Sequence, residues 1–492
     1  MEVTSLSAFS FDSDTPLQAQ LHRFIIDWIF SGRLLPGTRL PSSRKMADEL
    51  KISRNTVTLV IEQLKSEGFL DSQPGRGVYV CADLPSHGKQ LAVAPMKVPS
   101  MHPRWSRYGN ALLQQTHSEH STALPFTPGI PDIQDFPLAL WTSIQRRHQH
   151  RRDLLGYHDD QGYLPLRLAL ADYLCLSRGV RCTSQQIIIT QGAQQAISLC
   201  AQLLLDEGDQ VLTEDPGYGG ARKAFMARGA TVVPCPLGEH GINIEQLPEY
   251  SSNQTDSAKL LYITPTHQYP LGGILPAAQR LALLEWATNN NIWLLEDDYD
   301  SEFHFHHKPI ASLQGMAENS PVFYMGSFSK TLFPALRLGY LVVPETMVAP
   351  FVQAKSYMCG ETPTLTQAVV ADFISEGHFV RHLRKMRKIY EAKWQHLLQL
   401  ITTTLTGIAR PIAQSAGMHL AIEIPGIDDK HLKQQFAAAG FGSSSLSSYF
   451  LDSKGSSTKT GLVLGFANTT STERIRGVKA LSRLIPLSSP HP

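Results

Sequence analysis

The sequence has few cysteines, no long apolar run and almost no net charge. Six cysteines in 492 residues, with no CxxC pair among them, argue against a disulfide framework and a zinc cluster. A net charge of +1 gives no overall electrostatic attraction to nucleic acid or to a membrane. Any surface that binds either of them therefore has to be a local cluster of charge. Neither a signal peptide nor a run of about 18 apolar residues is present, which predicts a soluble cytosolic protein.

Residues 1–82 have the pattern of three helices followed by a hairpin. From Pro16 to Phe30, leucine and isoleucine recur every four residues, which predicts an amphipathic helix. Ser42 and Ser53 are placed to cap two further helices, and a short turn at 51–52 joins these two into a helix-turn-helix. The segments 69–71 and 77–80 flank a Pro-Gly turn, which predicts a hairpin that would form a wing.

Charge is balanced over residues 1–82, with nine basic and nine acidic side chains, but it is unevenly distributed. Residues 31–54 carry six basic and two acidic side chains, enough for a phosphate-contacting surface. Arg54, Asn55 and Thr56 lie in the first turn of the third predicted helix, where a recognition helix meets base edges, and Arg76 lies at the wing tip. A solvated helix face is the alternative interpretation of these arginines.

Two strings, LPGTRLPSSR at 35–44 and SRNTV at 53–57, closely resemble the winged helix of GntR-type repressors. The resemblance extends from Pro16 to Val80. It implies operator DNA as a partner, and the implied DNA contacts are Arg44, Arg54, Thr56 and Arg76, with Ser43 and Asn55 beside them.

The composition of residues 83–121, rich in proline, serine and histidine, predicts a flexible linker with a brief helix at Ala111–Gln115. We therefore predict a DNA-binding domain at 1–82 and a second, larger domain at 122–492. In the larger domain, short apolar runs at 187–190, 260–264, 292–295, 322–325 and 340–343 alternate with helical stretches. This pattern is typical of buried parallel strands in an α/β fold, where ligands bind beyond the carboxyl ends of the strands.

Three of these strand ends carry chemically active residues. Gly192 and Ala193 begin a helix whose free N–H groups suit a phosphate, although an ordinary strand-to-helix turn is equally compatible. The segment EDDYD at 296–300 holds four carboxylates, which fit a divalent metal, a solvated loop or a carboxylate facing a cationic ring. Lys330 follows small hydroxyl residues and precedes Arg337, which suits a Schiff base to an aldehyde cofactor whose phosphate is bound nearby.

In this order and spacing, the set resembles the fold-type-I pyridoxal-phosphate (PLP) enzymes, the aspartate-aminotransferase fold, over residues 122–488. The resemblance implies that Lys330 binds the cofactor aldehyde, with Asp297 at the pyridine nitrogen and Tyr299 at the ring hydroxyl. Strand periodicity alone does not choose between Asp297 and Asp298. The other implied cofactor contacts are Ser327, Ser329, Arg337, Gly192, Ala193 and Gln194 at the phosphate, Tyr218 stacked on the ring, and His267 or Gln268 near the ring oxygen.

A winged helix, a linker and an aminotransferase-like domain in this order resemble the MocR/GabR-type transcriptional regulators, and the strings EDDYDSEF, GSFSK and TPTHQYP carry the match. The resemblance implies a bacterial regulator that senses PLP, or an amine or amino acid that condenses with it. It also implies a head-to-tail homodimer, in which Tyr157 resembles the tyrosine that reaches the partner's phosphate. RNA polymerase is a further candidate partner. The alternatives are an active PLP-dependent aminotransferase with an accessory DNA-binding domain, and a cofactor-free dimerisation scaffold.

Two positions depart from the pattern of relatives that bind a substrate carboxylate. Val463 stands where many aminotransferases have the arginine that clamps this carboxylate. Gly220 stands where a γ-aminobutyrate-sensing member has an arginine, although Arg222 and Arg228 are nearby. These departures argue against γ-aminobutyrate as effector and make PLP itself a candidate.

Two further clusters are interpreted as surface features without a ligand. The histidines of HFHH at 304–307 are assigned to a surface loop, and no metal site is predicted. A basic stretch is interpreted as an exposed helix face and not as a second DNA-facing patch; it comprises Arg381, Arg384, Lys385, Arg387 and Lys388.

Overall fold

The chain divides into two compact units, Met1–Arg104 and Trp105–Pro492, in a computed structural model. The structure describes residues 16–73, 75–82, 84, 104–113, 124–250, 258–305, 310–318, 320–412, 416–452 and 458–485. None of the helices in these ranges combines the length and the apolar character that a membrane span requires.

The first unit is a three-helix bundle with a hairpin. Its elements are α1 (Leu17–Phe30), α2 (Ser43–Leu50), α3 (Arg54–Ser66), β1 (Leu70–Gln73) and β2 (Gly77–Val80). The leucine and isoleucine stripe of α1 is buried at Leu21, Ile25 and Ile29, where it packs with apolar residues of α2, α3 and the hairpin. The predicted helix-turn-helix and wing are therefore confirmed.

Local side-chain chemistry defines the turn between α2 and α3. Ser42 accepts a hydrogen bond from the Lys45 N–H, and Ser53 accepts one from the Thr56 N–H, as the predicted N-caps require. Lys51 adopts a left-handed conformation with φ of 55°, which ends α2 and redirects the chain into α3. The wing strands β1 and β2 pair antiparallel from Leu70 opposite Val80 to Gln73 opposite Gly77.

Part of the predicted linker is helical. The helix α4 spans Arg107–Leu113, so it begins four residues before the expected start at Ala111. The reason is local, because the Ser106 hydroxyl accepts a hydrogen bond from the Gly109 N–H and so caps the helix at this point. Residues 83, 85–103 and 114–123 lie outside the described residues, and the predicted domain limits stay predictions.

A seven-stranded sheet forms the centre of the second unit. Its strands are β3 (Ile187–Thr190), β4 (Gln210–Asp215), β5 (Thr231–Pro236), β6 (Ala258–Ile263), β7 (Trp293–Asp298), β8 (Val322–Ser327) and β9 (Gly339–Val342), in the order β3-β9-β8-β7-β6-β4-β5. The expectation that the strand near 340 is parallel was wrong, since β9 pairs antiparallel with both β3 and β8. The short connection between Ser327 and Gly339 explains this, because a parallel return needs a longer crossover.

Helices cover both faces of this sheet, which is why its strands are almost continuously apolar. On β3, Ile187 and Ile189 pack with α6 and α13, whereas Ile188 packs with α7 on the opposite face. The helices of this region are α5 (Leu138–His148), α6 (Leu164–Arg178), α7 (Ala193–Leu204), α8 (Gly219–Ala227), α9 (Ala277–Asn289), α10 (Leu313–Met316), α11 (Phe328–Thr331), α12 (Val348–Cys359), α13 (Thr364–Ser375) and α14 (His378–Thr404).

A second, smaller sheet follows α14 and was not predicted. Its strands β10 (Arg410–Ile412), β11 (His419–Glu423), β12 (Ser444–Ser445) and β13 (Gly461–Gly465) are antiparallel in the order β10-β11-β13-β12. Two helices, α15 (Asp429–Ala438) and α16 (Ser471–Leu484), accompany it. The fold class is therefore the predicted one, a winged helix-turn-helix plus a large aminotransferase-like α/β domain with a mainly parallel sheet.

Candidate cofactor site and nucleic-acid interface

The first unit presents its predicted DNA contacts at the surface. Arg44 on α2, Arg54 and Asn55 at the start of α3 and Arg76 at the wing tip are exposed, while Ser43 and Thr56 are half-buried. Arg54 and Ser43 are neighbours, with 3.5 Å between Arg54 Nε and Ser43 Oγ, so the two helices contribute to one surface. This surface has the exposure and the positive charge that contact with a DNA backbone requires.

In the second unit, the predicted cofactor residues follow strands that run in one direction. Because β3 and β8 are both antiparallel to β9, they run parallel to β4, β6 and β7. The carboxyl ends of these five strands therefore lie at one edge of the sheet. The turn at Gly192, the EDDYD segment and Lys330 come from three of them, so the fold brings these segments together.

The four carboxylates of the EDDYD segment are buried, so the solvated-loop interpretation was wrong. Asp297 and Asp298 point to opposite sides of β7 and have different partners. Asp298 accepts hydrogen bonds from Arg178 Nε at 2.7 Å and from the Tyr324 hydroxyl at 2.5 Å. Asp297 accepts one from the Tyr262 hydroxyl at 2.5 Å, and its other oxygen, Oδ1, is buried without a hydrogen-bond partner among the described residues.

Asp297 thus has a free acceptor in a buried environment. Burial raises the pKa of Asp297 to about 7, against the opposing effect of the Tyr262 hydrogen bond. A buried oxygen without a partner is costly unless a donor reaches it, and a protonated ring nitrogen is such a donor. Asp298 also has a buried Oδ1 without a partner, but Asp298 is already ion-paired with Arg178, whereas the charge of Lys330 acts on Asp297.

Lys330 lies on α11, directly after β8. Its Nζ donates a hydrogen bond to the Gly129 carbonyl oxygen at 2.7 Å. Gly129 has φ of +76°, and a Cβ there would lie 2.5 Å from Nζ, so this glycine leaves the room that Lys330 occupies. Burial lowers the pKa of Lys330, while the carboxylates of Asp300 and Asp297 act in the opposite direction. Sequence reasoning missed Gly129, although the Pro128-Gly129 turn signal was present.

The predicted phosphate group forms a compact turn. Gly192 has φ of +94° and precedes α7, which begins at Ala193. Arg337 is exposed and donates to the Gln191 carbonyl oxygen at 3.2 Å, which places its guanidinium beside this turn. Ser327 Oγ accepts from the Ser329 N–H at 3.1 Å, and Gln194 donates to the Gly220 carbonyl oxygen at 3.0 Å. A helix N-terminus with an adjacent arginine is a suitable anion site.

Aromatic side chains line the neighbouring side of this region. The rings of Tyr218 and Tyr269 are 6.0 Å apart, and the Tyr269 and Tyr449 hydroxyls are hydrogen-bonded at 2.9 Å. A Cβ at position 220 would lie 2.5 Å from Cζ of Tyr218, so only a glycine allows this position of the Tyr218 ring. An arginine at 220 would displace Tyr218.

The structure distinguishes His267 from Gln268, the two residues predicted to lie near the ring oxygen of the cofactor. Gln268 is committed to its own loop, since it donates to the carbonyl oxygens of Pro216 and Tyr269 at 2.9 and 2.7 Å. His267 Nδ1 instead lies 2.9 Å from the Tyr299 hydroxyl and 2.9 Å from Asp300 Oδ1. His267 is therefore next to the predicted ring-oxygen ligand Tyr299.

A third buried side chain, His419 on β11, adjoins this pair. Ligand atoms of His267, Asp300 and His419 lie within 4.8 Å of one another, a set compatible with a metal ion. Both histidines have protein partners, because His267 contacts Asp300 and His419 Nε2 contacts the Pro270 carbonyl oxygen at 3.0 Å. We interpret the set as a hydrogen-bonded cluster, and the absence of a metal stays a prediction. Sequence reasoning included Asp300 only as one of the four carboxylates of EDDYD and missed His419, because His419 lies far away in the chain on β11.

The position expected to clamp a carboxylate is apolar. Val463 on β13 is buried with Ala421 and Leu446. Of the two nearby arginines, Arg222 donates to the Glu214 carbonyl oxygen and to Asp215 Oδ1, both at 3.0 Å, and Arg228 is exposed. Neither replaces the missing clamp.

Three other predicted features differ in their exposure. Tyr157, in the loop before α6, is fully exposed, so its reach to a partner subunit stays a prediction. His304 is half-buried with Nδ1 3.1 Å from the Ser301 carbonyl oxygen, and His306 and His307 lie outside the described residues. In the basic stretch at 381–388, Arg381, Arg384, Lys385 and Lys388 are exposed, whereas Arg387 is half-buried and donates to the Glu302 carbonyl oxygen at 3.0 Å.

Known families match both units. The profile of the aminotransferase class I and II family matches residues 130–440, and that of the gntR family of bacterial regulatory proteins matches residues 17–80. The chain is 35% identical over 475 residues to the probable rhizopine catabolism regulatory protein MocR of Rhizobium meliloti, covering 96% of this chain and 94% of the relative.

Two further proteins extend the comparison. The pyridoxine biosynthesis transcriptional regulator PdxR of Corynebacterium glutamicum is 28% identical, and the match covers 92% of each chain. The solved structure of the α-aminoadipate aminotransferase LysN from Thermus thermophilus, in complex with N-(5'-phosphopyridoxyl)-L-leucine, is 29% identical with a TM-score of 0.67. That match covers 74% of this chain and 92% of LysN.

Proposed function

Because the chain belongs to the MocR/GabR-type family of transcriptional regulators, we propose that it is a PLP-dependent regulator that binds operator DNA. One observation carries this proposal. The same chain combines two features. One is a winged helix with an exposed basic recognition surface, and the other is a buried Asp297 with a free oxygen near Lys330. The first suits DNA and the second suits a cationic aromatic cofactor.

The residues at the sheet edge fit PLP. Asp297 Oδ1 would accept the N–H of the pyridine ring, and the ring's positive charge would compensate this buried carboxylate. Arg337, Ser327, Ser329 and the turn at 192–194 would hold the phosphate, with Tyr218 against the ring. When bound, PLP supplies an aldehyde that condenses with amines and a ring that withdraws electrons. Lys330 is the amine placed to hold it.

On the DNA side, we propose that Arg54 and Asn55 contact base edges while Arg44 and Arg76 contact phosphates. Their exposure at the start of α3, on α2 and at the wing tip supports these roles. Arginine and asparagine both form bidentate contacts to bases in the major groove. Ser43 and Thr56, which are half-buried beside them, complete the surface.

We propose that the second unit senses a ligand and turns over substrate slowly. Val463 is buried in an apolar cluster and Arg222 is bound to Asp215, so neither position offers an anchor for the carboxylate of an α-amino acid. An active aminotransferase is the second candidate, and the proximity of Lys330, Asp297 and Tyr299 favours it. Sustained production of an oxo acid from an amino acid would establish that activity.

A homodimer is part of the proposal. Tyr157 projects fully into solvent from the loop before α6, which fits a side chain that completes a partner's phosphate site. Two winged helices would then read half-sites about one helical turn, or a multiple of it, apart. Ligand binding that changed the separation of these two winged helices would change operator affinity.

Operator affinity with and without the cofactor tests the proposal. A binding sequence is first selected from random duplex DNA with the PLP-loaded protein, and the dissociation constant is then measured for loaded and cofactor-free protein. We expect the two to differ by about 5- to 150-fold, the usual range of coupling between two sites. Equal affinity of the two forms for the selected sequence would refute PLP-dependent regulation.

The visible absorption spectrum identifies the effector. Amines and amino acids are added in turn to the loaded dimer, and a compound that shifts the cofactor band is the effector. A band that no amine shifts would point to PLP itself as the signal. Absence of any band dependent on Lys330 would favour the scaffold interpretation.

A further inference from the structure

His267 and Asp300 form a buried pair beside the groups proposed to hold the reactive end of PLP. His267 is 3% exposed and Asp300 is 1% exposed. His267 Nδ1 lies 2.9 and 3.1 Å from the two carboxylate oxygens of Asp300, and 2.9 Å from the Tyr299 hydroxyl. The function proposed above leaves this pair without a role.

The surrounding backbone is shaped to hold the pair. Gly417, next to β11, has φ of +75°, and a Cβ at this position would lie 2.0 Å from Cε1 of His267 and 2.6 Å from Oδ2 of Asp300. Every other residue would therefore overlap both side chains. The Gly417 N–H is bound to the Phe303 carbonyl oxygen at 2.7 Å, which fixes the glycine in place.

The contacts determine where the proton of His267 resides. An ionised carboxylate only accepts hydrogen bonds, so Nδ1 has to carry the hydrogen that it shares with Asp300. The Tyr299 oxygen, at 2.9 Å from the same nitrogen, then accepts from this N–H. As a result, the hydroxyl hydrogen of Tyr299 is left to donate to another acceptor.

The other histidine of the cluster is neutral. His419 Nε2 contacts the Pro270 carbonyl oxygen, so this nitrogen carries the hydrogen. Burial lowers the pKa of His419 to about 3, and the neighbouring His267 acts in the same direction. The other titratable groups whose charge acts on Tyr299 or Lys330 are Asp297, Glu214 and Tyr269.

We propose that His267, held by Asp300, is a positioning residue that makes Tyr299 a hydrogen-bond donor to the ring oxygen of PLP. Through Tyr299, the pair sets the pH at which the cofactor-linked nitrogen of Lys330 gains its proton. This inference rests on the proposed binding of PLP to Lys330.

The direction of the effect follows from competition for one oxygen. The ring oxygen shares the proton of the adjacent Lys330 nitrogen, and a second donor to that oxygen weakens its hold on this proton. With the donor in place, the nitrogen loses its proton at a lower pH. Loss of a correctly placed donor should therefore raise the titration midpoint, by about one pH unit for one hydrogen bond.

The experiment is a pH titration of the visible band of the PLP-loaded dimer. Four variants are compared with the unmodified protein: Tyr299→Phe, His267→Leu, His267→Asn and the double variant H267L/Y299F. We expect Tyr299→Phe and His267→Leu each to raise the midpoint by about one pH unit. His267→Asn retains an N–H close to the position of Nδ1 and should keep the midpoint near its original value.

The double variant separates positioning from a general effect on the fold. If His267 acts through Tyr299, then His267→Leu raises the midpoint in the unmodified protein but changes it little when Tyr299 is already Phe. Equal shifts in both backgrounds would overturn the inference, as would an unchanged midpoint in His267→Leu. The control Glu345→Gln, an exposed carboxylate outside the site, should leave the midpoint unchanged.

Failure of the proposed function has a different signature. If no band dependent on Lys330 forms in the unmodified protein, PLP binding itself is refuted and the inference is refuted with it. If the band forms and responds to Lys330→Ala but its midpoint ignores His267, only the positioning role is refuted.

Discussion

In the first unit charged side chains lie at the surface, whereas in the second unit several lie inside, next to the central sheet. Among the described residues of the first unit, no charged side chain is buried, and its core is apolar. The second unit buries charged groups that include Arg178, Arg280, Glu296, Asp297, Asp298 and Asp300.

This difference separates the two functions physically. Surface charges of the first unit contribute little to folding, so substitutions there should affect DNA affinity more than stability. Buried charges of the second unit need partners, and burial raises the pKa of Glu214, Glu296 and Asp297 to about 7. A substitution of one of these buried charged groups should therefore affect both stability and the cofactor site.

The largest expected effect is the loss of the cofactor band in Lys330→Ala. Without the amine that holds PLP, the Lys330-dependent visible band should disappear completely, while the first unit remains folded. Absorption spectroscopy and circular dichroism measure the two properties. Lys385→Ala removes an exposed lysine of the same unit and should leave the band intact. A band that survives Lys330→Ala would contradict the assignment of Lys330.

The buried arginine Arg178 should matter far more for stability than an exposed arginine. Arg178→Met leaves Asp298 buried with Tyr324 as its remaining side-chain partner, which should cost about 3–5 kcal/mol in free energy of unfolding. Calorimetry of the full-length protein measures the loss in the transition of the second unit. Arg181→Met, an exposed neighbour, is the control and should cost less than about 0.5 kcal/mol. Equal losses in free energy of unfolding for the two variants would contradict the greater importance of the buried arginine.

Arg54→Ala should weaken operator binding without affecting the second unit. Loss of a base contact should reduce affinity by about 1–3 kcal/mol, or about 5- to 150-fold, at constant salt. Fluorescence anisotropy with the selected operator gives the affinity, and the cofactor band should be unchanged. Lys65→Ala, in the last turn of the same helix, is the matched control. Unchanged affinity in Arg54→Ala would refute α3 as the recognition helix.

The smallest expected effect is the loss of one helix cap. Ser53→Ala removes the acceptor of the Thr56 N–H, which should destabilise the first unit by about 1 kcal/mol. Ser66→Ala at the other end of α3 is the control, and calorimetry compares the two. If Ser66→Ala lowered the free energy of unfolding more than Ser53→Ala, the Ser53 cap would not limit the stability of the first unit.

Local patterns were sufficient to predict the first unit. The four-residue spacing of Leu21, Ile25 and Ile29, and the two capping serines, act within one or two turns of chain. In the second unit the same approach found the strands and Lys330 but gave β9 the wrong direction. It also left Asp297 and Asp298 undistinguished, because both faces of β7 are buried and the strand has no polar side.

The sequence by itself determined the order of the two units, the winged helix and the strand ends that carry Asp297, Lys330 and Gly192. These features depend on interactions between residues close together in the chain. Only the tertiary structure decided that Asp298 pairs with Arg178, that Asp297 keeps a free oxygen, and that Asp300 and His419 join His267. Those contacts link residues far apart in sequence, and burial beside the sheet gives them their chemical effect.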